Sequence, residues 1–168
     1  TEKGSINKVV SKVNLKSGKS QILSNLEGNN SGDFSKNYNY FIETSSSAKM
    51  PYVYTLKDEN GKTLKELRNN DEALKKIKAD GFVEKEFFTI PNSVGDQMNA
   101  WIIKPKNFDK NKKYPVFMYQ YSGPGSQTVS NSWDYGNTVW FNMLAQKGYV
   151  IVCVDGRGTG YKGTKYKK

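Results

Sequence analysis

The chain contains no histidine in its 168 residues and no G-x-S-x-G stretch. These two absences exclude a self-contained Ser-His-Asp hydrolase, whose base is an imidazole and whose nucleophile stands on that elbow. They also remove the commonest metal ligand. A single cysteine, Cys153, excludes an internal disulfide and gives no metal-ligand spacing. It lies in the apolar run from Tyr149 to Val154, which makes a buried structural thiol the expectation. Arginine is nearly missing. Lys and Arg total 26 against 16 acidic residues, a net charge of +10, but Arg68 and Arg157 are the only arginines. Readers of DNA sequence rely on arginine forks, so nucleic acid is not an expected partner. No stretch reaches the ~18 apolar residues that a spanning helix needs, and the N-terminus carries no signal-peptide core.

What is present suffices for a packed fold. A hydrophobic fraction of 36% with 13% aromatics argues against disorder of the whole chain. The first third is rich in strand signals. Val13 to Lys16, a turn at Ser17-Gly18 and Lys19 to Leu23 predict one hairpin. Tyr54 to Lys57, a turn at Asn60-Gly61 and Lys62 to Leu67 predict another, with both turn positions expected at positive φ. Gly18-Lys19-Ser20 has the end of a phosphate-binding loop but not its first glycine, since position 13 is Val. The two turn glycines stand 43 positions apart, within the ~40–45 residue period of a four-stranded propeller blade. Gly32 to Ser35 and Tyr38 to Thr44 supply two more strands. Residues 30–67 thus read as one blade, and residues 6–24 as the outer half of the blade before it. An ordinary antiparallel sheet is the alternative.

A helix is expected next, with Asn69 as N-cap, Glu72 three residues on, Leu74 and Ile77 on one face, and Gly81 closing it. Val83 to Ile90 and Met98 to Ile103 predict an antiparallel pair across a turn from Pro91 to Gln97. Tyr114 to Gln120 predicts a buried parallel strand. A helix from about Thr138 to Lys147 follows, with Trp140, Phe141 and Leu144 facing inward, and then a buried strand from Tyr149 to Val154. Two antiparallel strands followed by a parallel strand-helix-strand unit is how an α/β-hydrolase sheet begins.

Two loops could carry chemistry. Val116 to Tyr119 runs directly into Tyr121-Ser122-Gly123-Pro124-Gly125, and in open α/β sheets chemistry gathers where such strands end. A tyrosine hydroxyl there could stabilise a developing oxyanion, or the residue could simply pack. The second loop, Asp155-Gly-Arg-Gly-Thr-Gly-Tyr-Lys-Gly163, formally contains G-x-G-x-x-G. No apolar helical face follows it, so the phosphate cradle of a dinucleotide fold is not expected. Asp155 and Arg157 read as structural. Asp33, Asp58, Asp71, Asp96 and Asp134 fall at turns or caps, without a partner pattern for acid–base or metal chemistry.

The stretch from Tyr114 to Gln127 resembles the oxyanion loop of the prolyl oligopeptidase family, most closely its dipeptidyl peptidase IV branch. Residues 149–163 resemble the loop that this family carries two elements before its nucleophile elbow. The resemblance implies an internal piece of a serine peptidase. Residues 1–67 would be the C-terminal blade or blades of a β-propeller, 68–80 a linking helix, and 81–168 the start of an α/β-hydrolase domain that ends before the nucleophile. It implies Tyr121 as the side-chain half of the oxyanion hole, the one catalytic residue carried over. The Ser, Asp and His of the triad and the family's paired glutamates lie outside the chain. The implied activity is removal of N-terminal X-Pro or X-Ala dipeptides through an acyl-enzyme, with no cofactor and no metal. The implied parent is a homodimer working in the periplasm, outside the cell or at the cell surface. A prolyl endopeptidase or acylaminoacyl peptidase of the same family stays open, as does a non-catalytic lysine-rich β module that binds polyanions.

Overall fold

Polar side chains on a buried strand face set the character of the first part of the fold. A computed structural model describes residues 4–167, the side chain of Tyr135 excepted, and the chain divides into two units. The first comprises Thr1–Leu74 with Ser130–Trp133. It opens with a short hairpin, β1 (Ser11–Val13) and β2 (Ser20–Ile22), paired antiparallel. A four-stranded antiparallel meander follows: β3 (Asn29–Phe34), β4 (Tyr40–Ser47), β5 (Met50–Asp58) and β6 (Thr63–Arg68), adjacent in chain order.

Along β4 the period of two puts Phe41, Glu43 and Ser45 on the buried face. Phe41 stacks on Phe34 at 4.7 Å and packs in one cluster with Val10 and Leu23. Beside them Lys57 and Glu43, 7% and 2% exposed, form an ion pair of 2.8 Å. Lys57 also donates to Leu23 O, and the Thr55 hydroxyl donates to Glu43 Oε2. Asn131 ties residues 130–133 into this unit: its N–H donates to Ile6 O, its Oδ1 accepts from Ala48 N–H, and its Nδ2 donates to Asn7 Oδ1.

The β5–β6 turn differs from the expected two-residue type. Of Asn60 and Gly61 only the glycine has positive φ, +83°. Asp58 Oδ1 accepts from the N–H groups of Asn60 and Lys62, and Asp58 N–H donates to Lys62 O, so three residues form the loop with glycine in its last place. The Asp58 carboxylate thus shapes the turn, and Asn60 stays out of the positive-φ region.

Helix α1 (Asp71–Ala79) begins at Asp71, with Leu74 N–H donating to Asn70 O; the helix cap therefore lies one residue later than Asn69. The second unit comprises Lys75–Val129 and Asp134–Lys168. Its sheet contains β7 (Glu86–Pro91), β8 (Gln97–Ile103), β9 (Val116–Met118) and β10 (Val150–Asp155) in the order β7-β8-β10-β9. β7 and β10 flank β8 antiparallel, and β9 pairs with β10 in parallel. Helix α2 (Tyr135–Gln146) connects β9 to β10, and a short helix α3 (Thr164–Lys167) follows β10.

The core of this unit is Trp101, Ile103, Ile151 and Cys153 from β8 and β10, against Phe141 and Ala145 of α2. Trp101 and Phe141 rings lie 5.4 Å apart. Two expectations are corrected here. Among the described residues β9 is parallel but outermost in its sheet, and Val116 and Met118 are 63% and 54% exposed. Trp140 is 42% exposed, because the buried stripe of α2 runs Thr138, Phe141, Asn142, Ala145. That i, i+3, i+4, i+7 face leaves residue 140 about 100° away, where its ring meets Phe117 edge-on at 5.1 Å. Asn142 is tolerated inside because its Oδ1 accepts from Val83 N–H and its Nδ2 donates to Thr138 O.

Candidate functional site

Past Met118 the parallel ladder continues for one more bond, Tyr119 N–H to Val152 O at 2.9 Å, and then the chain leaves the sheet. Tyr121 follows and is 67% exposed. Its ring lies over Gly123, where a Cβ would stand only 3.1–3.3 Å from the ring and hydroxyl atoms. Among the described residues its hydroxyl has no hydrogen-bond partner. Its main chain, in contrast, is held firmly. Thr128 Oγ1 donates to Tyr121 O at 3.1 Å, and the Ser126 hydroxyl lies within reach of both Tyr121 O and Gly123 O.

The second candidate loop supplies the other half of that hold. The Asp155 carboxylate, 2% exposed at the end of β10, accepts from Thr128 N–H at 3.0 Å and from Val129 N–H at 2.8 Å. Burial pushes the Asp155 pKa above the usual carboxylate value, while the Val129 and Thr128 N–H groups and Lys162 act in the opposite direction. Further on, Gly125 N–H donates to Gly158 O and Gly160 N–H to Ser126 O, at 3.0 and 2.8 Å. A Cβ on Gly160 would meet Gly125 O at 2.8 Å, so the glycine is needed for the approach of two main chains. The amide groups that a phosphate cradle would need are engaged internally: Gly158, Thr159 and Gly160 donate to Tyr166 O, Gly156 O and Ser126 O. Arg157 pairs with Asp96 at 3.0 Å, and Lys162 donates to Gln97 O and Asn99 Oδ1. These contacts fasten this loop to the β7–β8 turn and to the first residues of β8.

The two sequence motifs therefore converge, with Tyr121 displayed on one and Asp155 clamping it from the other. Sequence reading set Asp155 aside as structural and had no means to see its partners 26 and 27 positions away. The available signal was an acidic residue ending an otherwise apolar strand. Elsewhere in the unit Lys85, 9% exposed, lies 5.0 Å from the Trp101 ring centre. Burial lowers its pKa against the pull of Asp134 and Cys153. The Cys153 thiol is pushed up to about 12, chiefly by burial and then by Asp155. No cluster of three His, Cys, Asp or Glu side chains able to hold a metal occurs among the described residues.

No family model matches the chain. Individual proteins do. Dipeptidyl peptidase 4 of Trichophyton rubrum is 37% identical over 140 residues, which is 80% of this chain and 18% of that protein. Dipeptidyl peptidase 4 of Arthroderma otae is 34% identical over 142 residues, 82% of the chain and again 18% of the relative. In fold, the crystal structure of Porphyromonas gingivalis dipeptidyl peptidase 4 matches 99% of the chain with a TM-score of 0.88 and 40% identity, using 23% of that structure. The likeness thus covers most of this β-rich chain in both sequence and fold. The chain belongs to the dipeptidyl peptidase IV-like branch of the prolyl oligopeptidase family. It spans about one fifth of the length of the relatives it matches.

Proposed function

We propose that the chain is the part of a serine-type dipeptidyl peptidase that closes a β-propeller and opens the α/β-hydrolase domain, and that Tyr121 donates to the oxyanion. The four-stranded meander β3–β6, preceded by the β1–β2 hairpin, supports the propeller reading of residues 1–67. The sheet β7-β8-β10-β9, with α2 crossing between its parallel strands, supports the hydrolase reading of residues 81–168.

One observation carries the catalytic assignment: Tyr121 follows directly on a parallel strand, with its side chain exposed and its main chain fixed. When a serine attacks a peptide carbonyl, charge moves onto the carbonyl oxygen. A donor already held in place stabilises that charge without reorganising. The serine, its histidine and aspartate, and the second oxyanion donor come from outside these 168 residues. The substrates are peptides with Pro or Ala in the second position. The parent is a homodimer acting in the periplasm, outside the cell or at the cell surface, both features resting on family resemblance alone.

The test is Tyr121→Phe in the full-length protein, assayed with Gly-Pro and Ala-Pro chromogenic amides. Phenylalanine keeps the ring over Gly123 and removes only the hydroxyl. The expected loss in kcat is ~10²–10³, about 2.7–4 kcal/mol, with KM and melting temperature little changed. Tyr119, half-buried with its ring 5.1 Å from Phe141, is the control, and its Phe variant retains near-normal rates. Equal behaviour of the two variants would make Tyr121 a packing residue.

A further inference from the structure

We propose that Asp155 is a positioning residue for Tyr121, acting through Thr128. This rests on the reading of Tyr121 as the oxyanion donor and adds a residue to that site. The connection is short and unbroken. The Asp155 carboxylate holds Thr128 N–H and Val129 N–H, the Thr128 hydroxyl holds Tyr121 O, and Val129 is fully buried behind them. Ser126, between the two ends of this chain of bonds, is fixed by Gly160 N–H and itself reaches Tyr121 O.

A buried carboxylate is unfavourable unless its lone pairs are used, and here they accept from main-chain N–H groups of the loop that carries Tyr121. Among the described residues the carboxylate's hydrogen bonds all go to main-chain N–H groups, so its influence on Tyr121 passes through the main chain. An asparagine at 155 keeps one oxygen, which at the Oδ2 place still reaches both N–H groups, but it puts an NH₂ group at the Oδ1 place, 3.0 Å from Thr128 N, where two donors face each other. The loop must then shift, and the hydroxyl of Tyr121 moves with it.

A double-mutant cycle in the full-length protein separates this role from simple stabilisation. Asp155→Asn alone is expected to lower kcat by about 10–100-fold, the order seen when a reacting group is misplaced by up to ~1 Å, with KM nearly constant. In a Tyr121→Phe background the same change is expected to lower kcat less than about 2-fold, because the donor it positions is already gone. Equal factors in both backgrounds would overturn the positioning role while leaving Tyr121 in place. A silent Tyr121→Phe would overturn both and would be recognised by that single variant. If Asp155→Asn yields no folded protein, Thr128→Val is run through the same cycle. It deletes the hydroxyl on Tyr121 O and keeps the N–H held by Asp155. Non-additivity with Tyr121→Phe supports the proposal, and additivity refutes it.

Discussion

Replacing Gly160 by alanine adds one methyl group at a place bounded by main chain. The ideal Cβ stands 2.8 Å from Gly125 O and 3.5 Å from Gly125 C, and no flexible side chain is there to yield. Gly160 is not among the glycines with positive φ, so the whole penalty is steric. Relief requires the two loops to separate by about half an ångström, which weakens Gly160 N–H to Ser126 O and Gly125 N–H to Gly158 O together. At ~0.5–1.5 kcal/mol for each bond the expected loss of stability is about 1–3 kcal/mol, the range of overpacking generally. Gly163→Ala provides the comparison. That glycine has φ +86° and no atom within 4 Å of its Cβ position, so alanine there costs about 1–2 kcal/mol in backbone strain alone. Thermal melting of the full-length protein should therefore fall by similar amounts in the two variants. Their kcat values should not be similar, because only Gly160→Ala displaces Ser126 and with it the main chain of Tyr121. A Gly160→Ala variant with wild-type melting, or with the kcat of Gly163→Ala, would refute the reasoning.

Lys57→Met should destabilise by about 3–5 kcal/mol in thermal unfolding, because it leaves the buried Glu43 carboxylate without its counter-charge; adding Glu43→Leu should restore most of the loss, and a single variant within ~1 kcal/mol of wild type would contradict this. Cys153 should resist iodoacetamide in the native protein at pH 8, since a thiol pushed to about 12 is ionised there only about once in ten thousand, and burial blocks access as well. The same shift has a sign in stability. The fold keeps the proton where the unfolded chain has lost it, so this contribution is complete below the ordinary thiol range and is lost as pH rises toward about 12. Cys153→Val should flatten that alkaline decline in melting temperature, and an unaltered pH dependence would assign it elsewhere.

Local pattern was a good guide wherever one residue's neighbours in sequence are also its neighbours in space. The hairpin β5–β6 and the pair β7–β8 lie where turn residues and alternation put them. Errors arose where a distant partner decides the outcome. Val116 and Met118 are apolar and look buried, but among the described residues no strand lies beyond β9, and that depends on strand order rather than on local pattern. Trp140 looks like core by composition, while the stripe of α2 is fixed by Asn142 reaching Val83. One local partner was missed as well: at the Asn60-Gly61 turn the Asp58 carboxylate folds the loop into three residues. At the candidate site the sequence pattern placed Tyr121 in the loop after an apolar strand, where it lies. Its clamp was not legible, since Asp155 and Thr128 meet only after α2 has carried the chain across to β10.

The contacts that shape the Tyr121 loop end almost entirely on main-chain atoms: Tyr121 O, Gly123 O, Gly125 N, Ser126 O, Thr128 N and Val129 N. The phenol ring takes no part in them beyond resting on Gly123. On the proposed role of Tyr121, position 121 is therefore chemically adjustable. Fluorinated tyrosines of graded acidity would occupy the same geometry with a different proton affinity, and the slope of log kcat against phenol pKa would read the charge on the reacting oxygen directly, uncomplicated by any change in the loop that presents the donor.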